Sequence, residues 1–444
     1  MRRLRQPAGG LRLRCARRRS PGRRGRCRGY FSSLILRFSS GERDGQCRQR
    51  RYGDTVTTRV CPACGSTVPA EVFCTSCGAE LAAPVSTWSI LLRPRVFATA
   101  PREPIWIPRI SSSLFPRIPF QTRKPFRVGL ILCLVAIIVL ASAEMNGPLG
   151  VIAVIGWPLL FLIYVWQSDG FRDKPLRILA VAMVLGVALG IGWWLSTGSI
   201  IAGSYGLSTG SSLLLVNEVL NVGLLISLGG GVLMLVPALV CRLFPMPVRE
   251  SLDGFVIGAF GALWYSTASA ATILAPQFAE GLIEQQGAGR MFEDAVTYGI
   301  VDPIVTTAAG GLVGLSLWFR PNRRAGRDPR RARTALTICT LLALGLYAAV
   351  WVADAVSVQR TIDLAAKITL AVLALLTVRC AVQIALLQEE PDPAGGESVL
   401  CVHCLKVVPD EPFCVACGAA ARASSRSSRR LRRESPPVLD ESFG

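Results

Sequence analysis

The sequence predicts an all-α polytopic membrane protein with about eight transmembrane helices and a small cysteine-rich domain at each end. Three observations predict this class. Of the 444 residues, 51% are hydrophobic and the mean hydropathy is +0.43, whereas a soluble chain of this length does not average apolar. The apolar residues concentrate between Phe126 and Leu387. A four-cysteine motif lies on either side of that region.

Eight stretches of the apolar region are candidates to span a bilayer, which takes roughly 17–25 residues of helix. They are Val128–Ala143, Leu149–Trp166, Leu176–Leu195, Val222–Phe244, Leu252–Ala275, Gly299–Phe319, Ala335–Ala353 and Ile368–Leu387. The first of these stretches is short. We expect a membrane core over residues 126–319, followed by two further transmembrane helices within residues 335–388.

Basic residues concentrate in every second loop between these stretches. The loop at residues 320–334 holds seven arginines against Asp328 alone, whereas Ser196–Ser212 has no charged residue and Gln277–Val296 is acidic. Under the positive-inside rule the basic loops face the cytosol, and an even number of spans puts both termini on one side. The sequence therefore predicts a multi-pass protein of the plasma membrane with both termini cytoplasmic.

Two CxxC pairs, nine residues apart, lie on each side of the apolar region. The two segments are internal repeats, because both also place Val, Pro, Glu and Phe before the second pair and Gly after it. A CxxC turn directs two thiolates at one tetrahedral ion, and a second pair completes a closed shell that is structural rather than catalytic. We predict two zinc ribbons that hold two structural zinc ions. The predicted metal ligands are Cys61, Cys64, Cys74 and Cys77 in one ribbon and Cys401, Cys404, Cys414 and Cys417 in the other.

Disulfides and degenerate ribbons are the alternatives for these cysteines. A cytosolic location keeps thiols reduced, which argues against a disulfide framework. A segment this small has no core of its own, so bound metal would supply most of its folding energy.

Arginine dominates the polar ends of the chain. Residues 1–55 contain 17 arginines against Glu42, Asp44 and Asp54. They are predicted to be a disordered basic arm on anionic lipid or a start-site artefact, with the true start near Val56. The ratio of 45 arginines to four lysines is typical of GC-rich coding, as in actinobacteria. The other predicted segments are a ribbon at 56–82, a linker at 83–125, a basic cytosolic loop at 320–334, a ribbon at 398–420 and a disordered, lipid-contacting Arg-rich tail at 421–444.

Polar residues within the predicted spans are candidates for a functional site, because burying them in a bilayer is costly. Glu218 lies on one helix face with Asn221, and Arg379 lies in the last span. Two further acids, Asp253 and Asp302, begin the fifth span and lie in the sixth. The weak catalytic candidates are Glu218, Asp253 and Asp302.

Parts of the membrane region resemble the PrsW family of intramembrane metalloproteases. Residues 164–176, YVWQSDGFRDKPL, are similar to the loop that precedes the family core, and residues 251–258, SLDGFVIG, to its DG-containing helix start. Thr306 followed by Gly310 resembles the end of the family's histidine helix. The resemblance covers roughly residues 128–319 and implies the fold of a membrane metalloprotease core.

The sequence departs from that family at its catalytic motifs. The family's glutamate pair followed by lysine is matched best by Asn217-Glu218-Val-Leu-Asn221, which keeps one acid and has no lysine. The family's histidine falls on Asp302. The single histidine of the chain, His403, lies between two ribbon cysteines, whereas hydrolytic zinc sites often include histidine. An all-carboxylate site of the three candidate acids would suit Mg²⁺ or Mn²⁺ better than zinc.

These observations favour a non-catalytic PrsW-like scaffold or regulatory protein, embedded in the lipid bilayer, whose ribbons dock cytosolic proteins. One alternative is a divergent intramembrane metalloprotease that uses Asp302 and Glu218. Another is a membrane transport protein. The ribbons carry little basic or aromatic surface, which argues against nucleic acid as a partner.

Overall fold

The computed structural model describes most of the chain from Thr57 onward. Glu218 and the predicted arm at residues 1–55 lie outside the described residues. The described ranges are 57–82, 96–101, 103–117, 123–143, 145–168, 176–205, 226–245, 249–279, 288–322, 329–356, 360–392 and 398–434.

The described chain is mainly helical, with a short antiparallel hairpin toward each end. The helices are α1 (Ile110–Ser113), α2 (Arg123–Ser142), α3 (Asn146–Gln167), α4 (Leu176–Tyr205), α5 (Ile226–Leu243), α6 (Ser251–Ala279), α7 (Ala288–Val296), α8 (Asp302–Trp318), α9 (Pro329–Val356), α10 (Arg360–Gln388) and α11 (Arg426–Glu434). A π-helical turn at Thr297–Val301 joins α7 to α8, and a 3₁₀ turn at Ala421–Ala423 precedes α11. The strands are β1 (Thr58–Val60), β2 (Thr67–Pro69), β3 (Ser398–Leu400) and β4 (Val407–Pro409).

Each of the eight predicted spans coincides with a helix, but within the described ranges only six helices are long and apolar enough to cross a membrane. These six are Gly147–Gln167, Leu176–Thr197, Ser251–Ala275, Phe292–Trp318, Pro329–Ala353 and Thr361–Gln388. The other two predicted spans correspond to shorter apolar helices, Phe126–Ser142 and Leu228–Leu243. The membrane class of the protein follows from these helices, and the count of eight spans stays a prediction.

Helices α6 and α8 form the centre of the bundle because glycines let their backbones meet. Gly258 faces the backbone of Gly310, and Gly254 faces that of Gly314, so closely that a Cβ at either α6 position would collide with a carbonyl oxygen. Small residues permit this approach between apolar helices, where lipid offers little hydrophobic drive for association. The remaining helices pack around this central pair.

Both ends of the described chain fold onto one end of the bundle, where α6 begins and α10 ends; we call this the capped end. Residues 96–101 and 103–117, which fall within the predicted linker, pack here and include α1. Residues 421–434, which fall within the predicted tail, form the 3₁₀ turn and α11. Ion pairs and hydrogen bonds to residues far away in sequence hold both segments in place.

We expect Gly258→Leu to destabilise the protein strongly, because the new side chain would separate α6 from α8; overpacking costs about 1–3 kcal/mol or more. The matched control is Gly345→Leu, since a Cβ at Gly345 in α9 meets no atom within 4 Å. Thermal unfolding in detergent compares the two variants. Equal midpoints would contradict the close contact of α6 with α8.

Candidate metal centres and the arginine junction

Each four-cysteine motif folds as a β-hairpin with two cysteine turns, and the two copies have the same topology. Strand β1 pairs with β2 so that Thr58 faces Pro69, and β3 pairs with β4 so that Ser398 faces Pro409. These positions are equivalent in the two repeats, which confirms that the repeated sequence specifies a repeated structure.

The eight predicted ligands come together as two groups of four. Within each group the sulfur atoms lie within 4.8 Å of one another, and in the described part of the chain these are the groups of potential ligands with metal-binding spacing. The Sγ–Sγ distances are 3.7 Å for Cys61–Cys77 and for Cys64–Cys74. They are 3.8 Å for Cys401–Cys417 and for Cys404–Cys414.

These distances fit a tetrahedral metal site. With zinc–sulfur bonds of about 2.3 Å, the edges of a regular tetrahedron of sulfur ligands measure about 3.8 Å. Four thiolates fill all four positions, so a metal held here would stabilise the fold and leave no position for water. The donor set therefore fits a structural ion in each hairpin.

Left-handed backbone conformations shape the cysteine turns. Gly65, Gly78 and Gly418 have φ of 71°, 66° and 72°, values that glycine adopts without steric cost. In the second hairpin the position equivalent to Gly65 is Leu405, with φ of 58°. An L-residue with a Cβ is strained in this region by about 1–2 kcal/mol, so the second hairpin stores strain that the first lacks.

The two hairpins pair with each other through equivalent atoms. The Phe73 amide donates to the Val415 carbonyl at 3.0 Å, and the Phe413 amide donates to the Thr75 carbonyl at 3.0 Å. Gly418 packs against the Phe73 ring, where any larger residue would clash. The two candidate metal centres thus belong to one paired unit with approximate two-fold symmetry.

The second hairpin attaches this unit to the bundle. The Ala420 amide donates to the Ala98 carbonyl at 3.1 Å, and Phe413, Ala420 and Ala423 are buried in the main apolar core together with bundle residues. The first hairpin has a small cluster of its own, formed by its cysteines with Val68 and Leu81. Its position is therefore set largely by the second hairpin.

A junction of arginines and carboxylates forms at the N-terminus of α6. Arg117 lies between Glu250 and Asp253, with N–O distances of 2.7 and 2.6 Å, and all three side chains are buried. Burial opposes the charged form of Arg117, but Asp253 and Glu250 outweigh it and raise the pKa of the guanidinium above its ordinary value. Carboxylates are also favoured at this site by the positive end of the helix dipole.

The C-terminal segment supplies the other arginines of the junction. Arg426 donates to Asp253 at 2.8 Å, and Arg429 pairs with Glu250. Arg422 binds Glu389 at 2.9 Å. The Glu389 carboxylate in turn accepts hydrogen bonds from the amide and hydroxyl of Ser251, and burial raises its pKa.

Arg433 ties α11 to the second hairpin. It binds Asp410 at 2.6 Å and Asp392 at 3.4 Å. Arginine in the predicted tail is therefore used for internal ion pairs that join the hairpins to the bundle.

No protein-family model, curated protein or solved structure matches this chain. The resemblance to PrsW proteins stays a prediction from sequence motifs.

The structure does not bring the candidate acids Asp253 and Asp302 together. Asp302 is buried within the bundle and accepts a hydrogen bond from the Ser266 hydroxyl. Ser266 follows Asp253 by 13 residues in α6, which corresponds to about 20 Å along the helix. An all-carboxylate metal site that uses both acids is therefore not formed, and Asp253 is already occupied by two arginines.

Sequence reasoning missed the junction residues Arg117, Glu250 and Glu389, and it gave Arg426 and Arg429 a different role. Nothing near these positions in the sequence signals their pairing. His403, which lies between two cysteines of the second hairpin, is 6% exposed and lines a small cleft with Arg117 and Ser424.

We expect Leu405→Gly to strengthen metal retention by the second hairpin, because the substitution removes strain of about 1 kcal/mol. The matched change, Gly65→Leu, places a Cβ at the equivalent position of the first hairpin and should weaken retention there. Competition with a chromogenic chelator measures both effects. The strain assignment fails if Leu405→Gly releases metal more readily than the parent protein does.

Arg117→Met should destabilise the folded protein by a few kcal/mol, because it leaves two buried carboxylates short of a partner. Arg430→Met is the control, since Arg430 is 82% exposed and pairs with Glu434 within α11. Exposed pairs of this kind contribute at most about 1 kcal/mol. Thermal unfolding in detergent gives the comparison, and equal midpoints for the two variants would contradict a structural role of the junction.

Proposed function

We propose that the chain is a multi-pass membrane scaffold whose paired hairpins are zinc ribbons that form a structural cap and docking module in the cytosol. The observation that carries this proposal is the pairing of the two four-cysteine centres with each other and their attachment to one end of an apolar helix bundle. The remaining support comes from metal chemistry, loop charge and the state of the candidate acids.

Zinc is the metal that best suits the centres. Tetrahedral sites with four thiolates select zinc or iron, and short hairpins with paired CxxC turns are typical of structural zinc. Each hairpin has only a few buried apolar residues beside its cysteines, so bound zinc supplies much of its folding energy.

The distribution of basic residues supports a cytosolic location for the capped end. Arg242 at the end of α5 donates to the Leu317 carbonyl at the end of α8, and the Cys241 thiol contacts the Ile178 carbonyl near the start of α4. Asn322 contacts the last turn of α10. These contacts place the helix ends that border the basic loops at the same end of the bundle as the hairpins. Basic loops favour the cytosolic side of a membrane.

The scaffold role, rather than catalysis, is supported by the state of the candidate acids. Asp253 accepts from Arg117 and Arg426, so its carboxylate is engaged by cations. In a PrsW-like fold, Asp302 replaces the family's histidine, and its carboxylate accepts a hydrogen bond from Ser266. A pseudo-protease that binds partners without cutting them fits this arrangement.

The ribbon pair offers a surface for such partners. Val60 and Leu400 occupy equivalent positions in β1 and β3, and both are exposed. Val72 of the first hairpin and Leu405 of the second are exposed as well, at positions that are not equivalent. A docked protein would cover these apolar side chains.

Metal content per chain tests the proposal on detergent-purified protein. We expect two zinc ions in the parent protein, one in a variant with Cys61, Cys64, Cys74 and Cys77 changed to serine, and none when all eight ligands are changed. A metal that survives in the eight-serine variant and is lost with Asp302→Asn would place a centre among the helices. That result would overturn the scaffold proposal in favour of an enzyme.

An activity measurement gives a second, independent test. Purified protein in lipid vesicles should leave a membrane-embedded peptide substrate intact. Cleavage that disappears with Glu218→Gln or Asp302→Asn would refute the non-catalytic role while leaving the zinc assignment in place.

A further inference from the structure

We infer that residues 103–117 form a re-entrant segment that enters the membrane at the capped end, with Trp106 and Ile107 in contact with lipid acyl chains. The inference rests on the proposed placement of the helix bundle across a bilayer. It goes beyond that proposal because this segment belongs to no predicted span and lies in what the sequence presents as a linker.

Contacts with α10 show how far the segment reaches along the bundle. Gln383 accepts from the Ala98 amide and donates to the Val96 carbonyl, and it lies five residues, or about 7 Å, before the end of α10. Arg379 lies nine residues, or about 13 Å, before that end, and it donates to the carbonyls of Pro104 and Ile105. The chain therefore descends along α10 from Val96 to Ile105.

The chain then returns to the capped end. Phe115 packs against Phe161 of α3, with ring centroids 5.5 Å apart, and Phe161 lies about 9 Å before the end of α3. Two residues later Arg117 reaches the N-terminus of α6. The segment is thus a V-shaped loop that runs along α10 and returns beside α3. Residues 104–109 form its turn, which we call the tip.

Two backbone carbonyl groups of the tip, those of Pro104 and Ile105, are satisfied by protein. Irregular backbone at membrane depth is tolerated only where protein or water satisfies its hydrogen bonds. Arg379 is fully buried, binds two tip carbonyls and the Ser112 hydroxyl, and stacks on the Phe97 ring at 4.2 Å. This assigns a role to the arginine that the sequence places in the last span.

Glu103 balances the charge of Arg379 near the tip. Its carboxylate lies 3.6 Å from Arg379 and also binds Arg109 and Arg127. The Ser112 hydroxyl also donates a hydrogen bond to this carboxylate at 2.6 Å. The segment therefore carries its own counter-ion, which lowers the cost of placing Arg379 at this depth.

The outer face of the tip has the composition of a lipid interface. Trp106 and Ile107 are 59% and 49% exposed, although Ile105 beside them is fully buried. Arg109 and Arg127, which both bind Glu103, are partly exposed. Tryptophan with nearby arginine is typical of the boundary between acyl chains and head groups, and long arginine side chains reach from that depth to the head groups.

A photo-cross-linking amino acid at three positions of nearly equal exposure tests the inference. The positions are Trp106 at 59%, Ile338 on the outer face of α9 at 59%, and Val60 on the first ribbon at 60%. The full chain is reconstituted in nanodiscs of phosphatidylcholine and phosphatidylglycerol, irradiated and analysed for lipid adducts by mass spectrometry. We expect lipid adducts of similar yield at 106 and 338 and almost none at 60.

The three positions separate the possible failures. Adducts at 338 but not at 106 would overturn the re-entrant segment and leave the membrane placement intact. An absence of adducts at both 106 and 338 would overturn the membrane placement as well. Equal yields at 60 and 106 would overturn the inference, because adducts would then report exposure rather than depth.

A second measurement avoids the unnatural residue. Lipids brominated on their acyl chains quench tryptophan fluorescence at short range. Trp106→Phe should reduce the quenchable signal. Trp166→Phe is the positive control and should reduce it too, since Trp166 is exposed in the last turn of the membrane-length helix α3. An unchanged quenchable signal in Trp106→Phe would count against lipid contact at the tip.

Discussion

Three carboxylates meet at the N-terminus of α6, and the arginines that neutralise them come from both ends of the described chain. Glu250, Asp253 and Glu389 are all buried, and an unpaired buried charge costs several kcal/mol. Arg117 precedes the helix bundle, while the other arginines of the junction follow it. The segment before the bundle, the bundle itself and the second hairpin are therefore one folded unit, and the first hairpin joins through its pairing with the second.

The parts of this architecture that could be predicted from sequence are those with local signals. A helix that crosses a membrane is a continuous apolar stretch, so all eight predicted stretches coincide with helices, and six of these are of membrane-spanning length within the described residues. The cysteine groups are likewise specified by short spacing, and all eight predicted ligands cluster as expected. The strain at Leu405 was not visible, because the repeat comparison drew on the residues that the two hairpins share.

The parts that could not be predicted depend on partners distant in sequence. Arg426 binds Asp253 across 173 positions, and Arg379 binds the Ile105 carbonyl across 274. Composition alone presents the arginines of α11 as a solvated or lipid-bound tail. It leaves residues 96–117 within the predicted linker at 83–125, because no neighbouring residue shows that Arg379 and Gln383 will hydrogen-bond to backbone groups there. Asp253 was a candidate for catalysis for the same reason. A carboxylate at the start of a membrane helix suggests a catalytic role when the arginines that pair with it, Arg117 and Arg426, cannot be identified from the sequence.

The pairing of the two hairpins has a consequence for biosynthesis. Phe73 and Val415, which share a backbone hydrogen bond, are separated by more than 300 residues of mainly membrane helix. At about 5–20 residues per second, translation of that interval takes roughly 20–70 s. Throughout that time the first hairpin is outside the ribosome without its partner hairpin. Its pairing edge is exposed, and its thiols are accessible to metal ions and chaperones. Closure of the cap is thus a late event, which marks a chain whose helices have already been inserted.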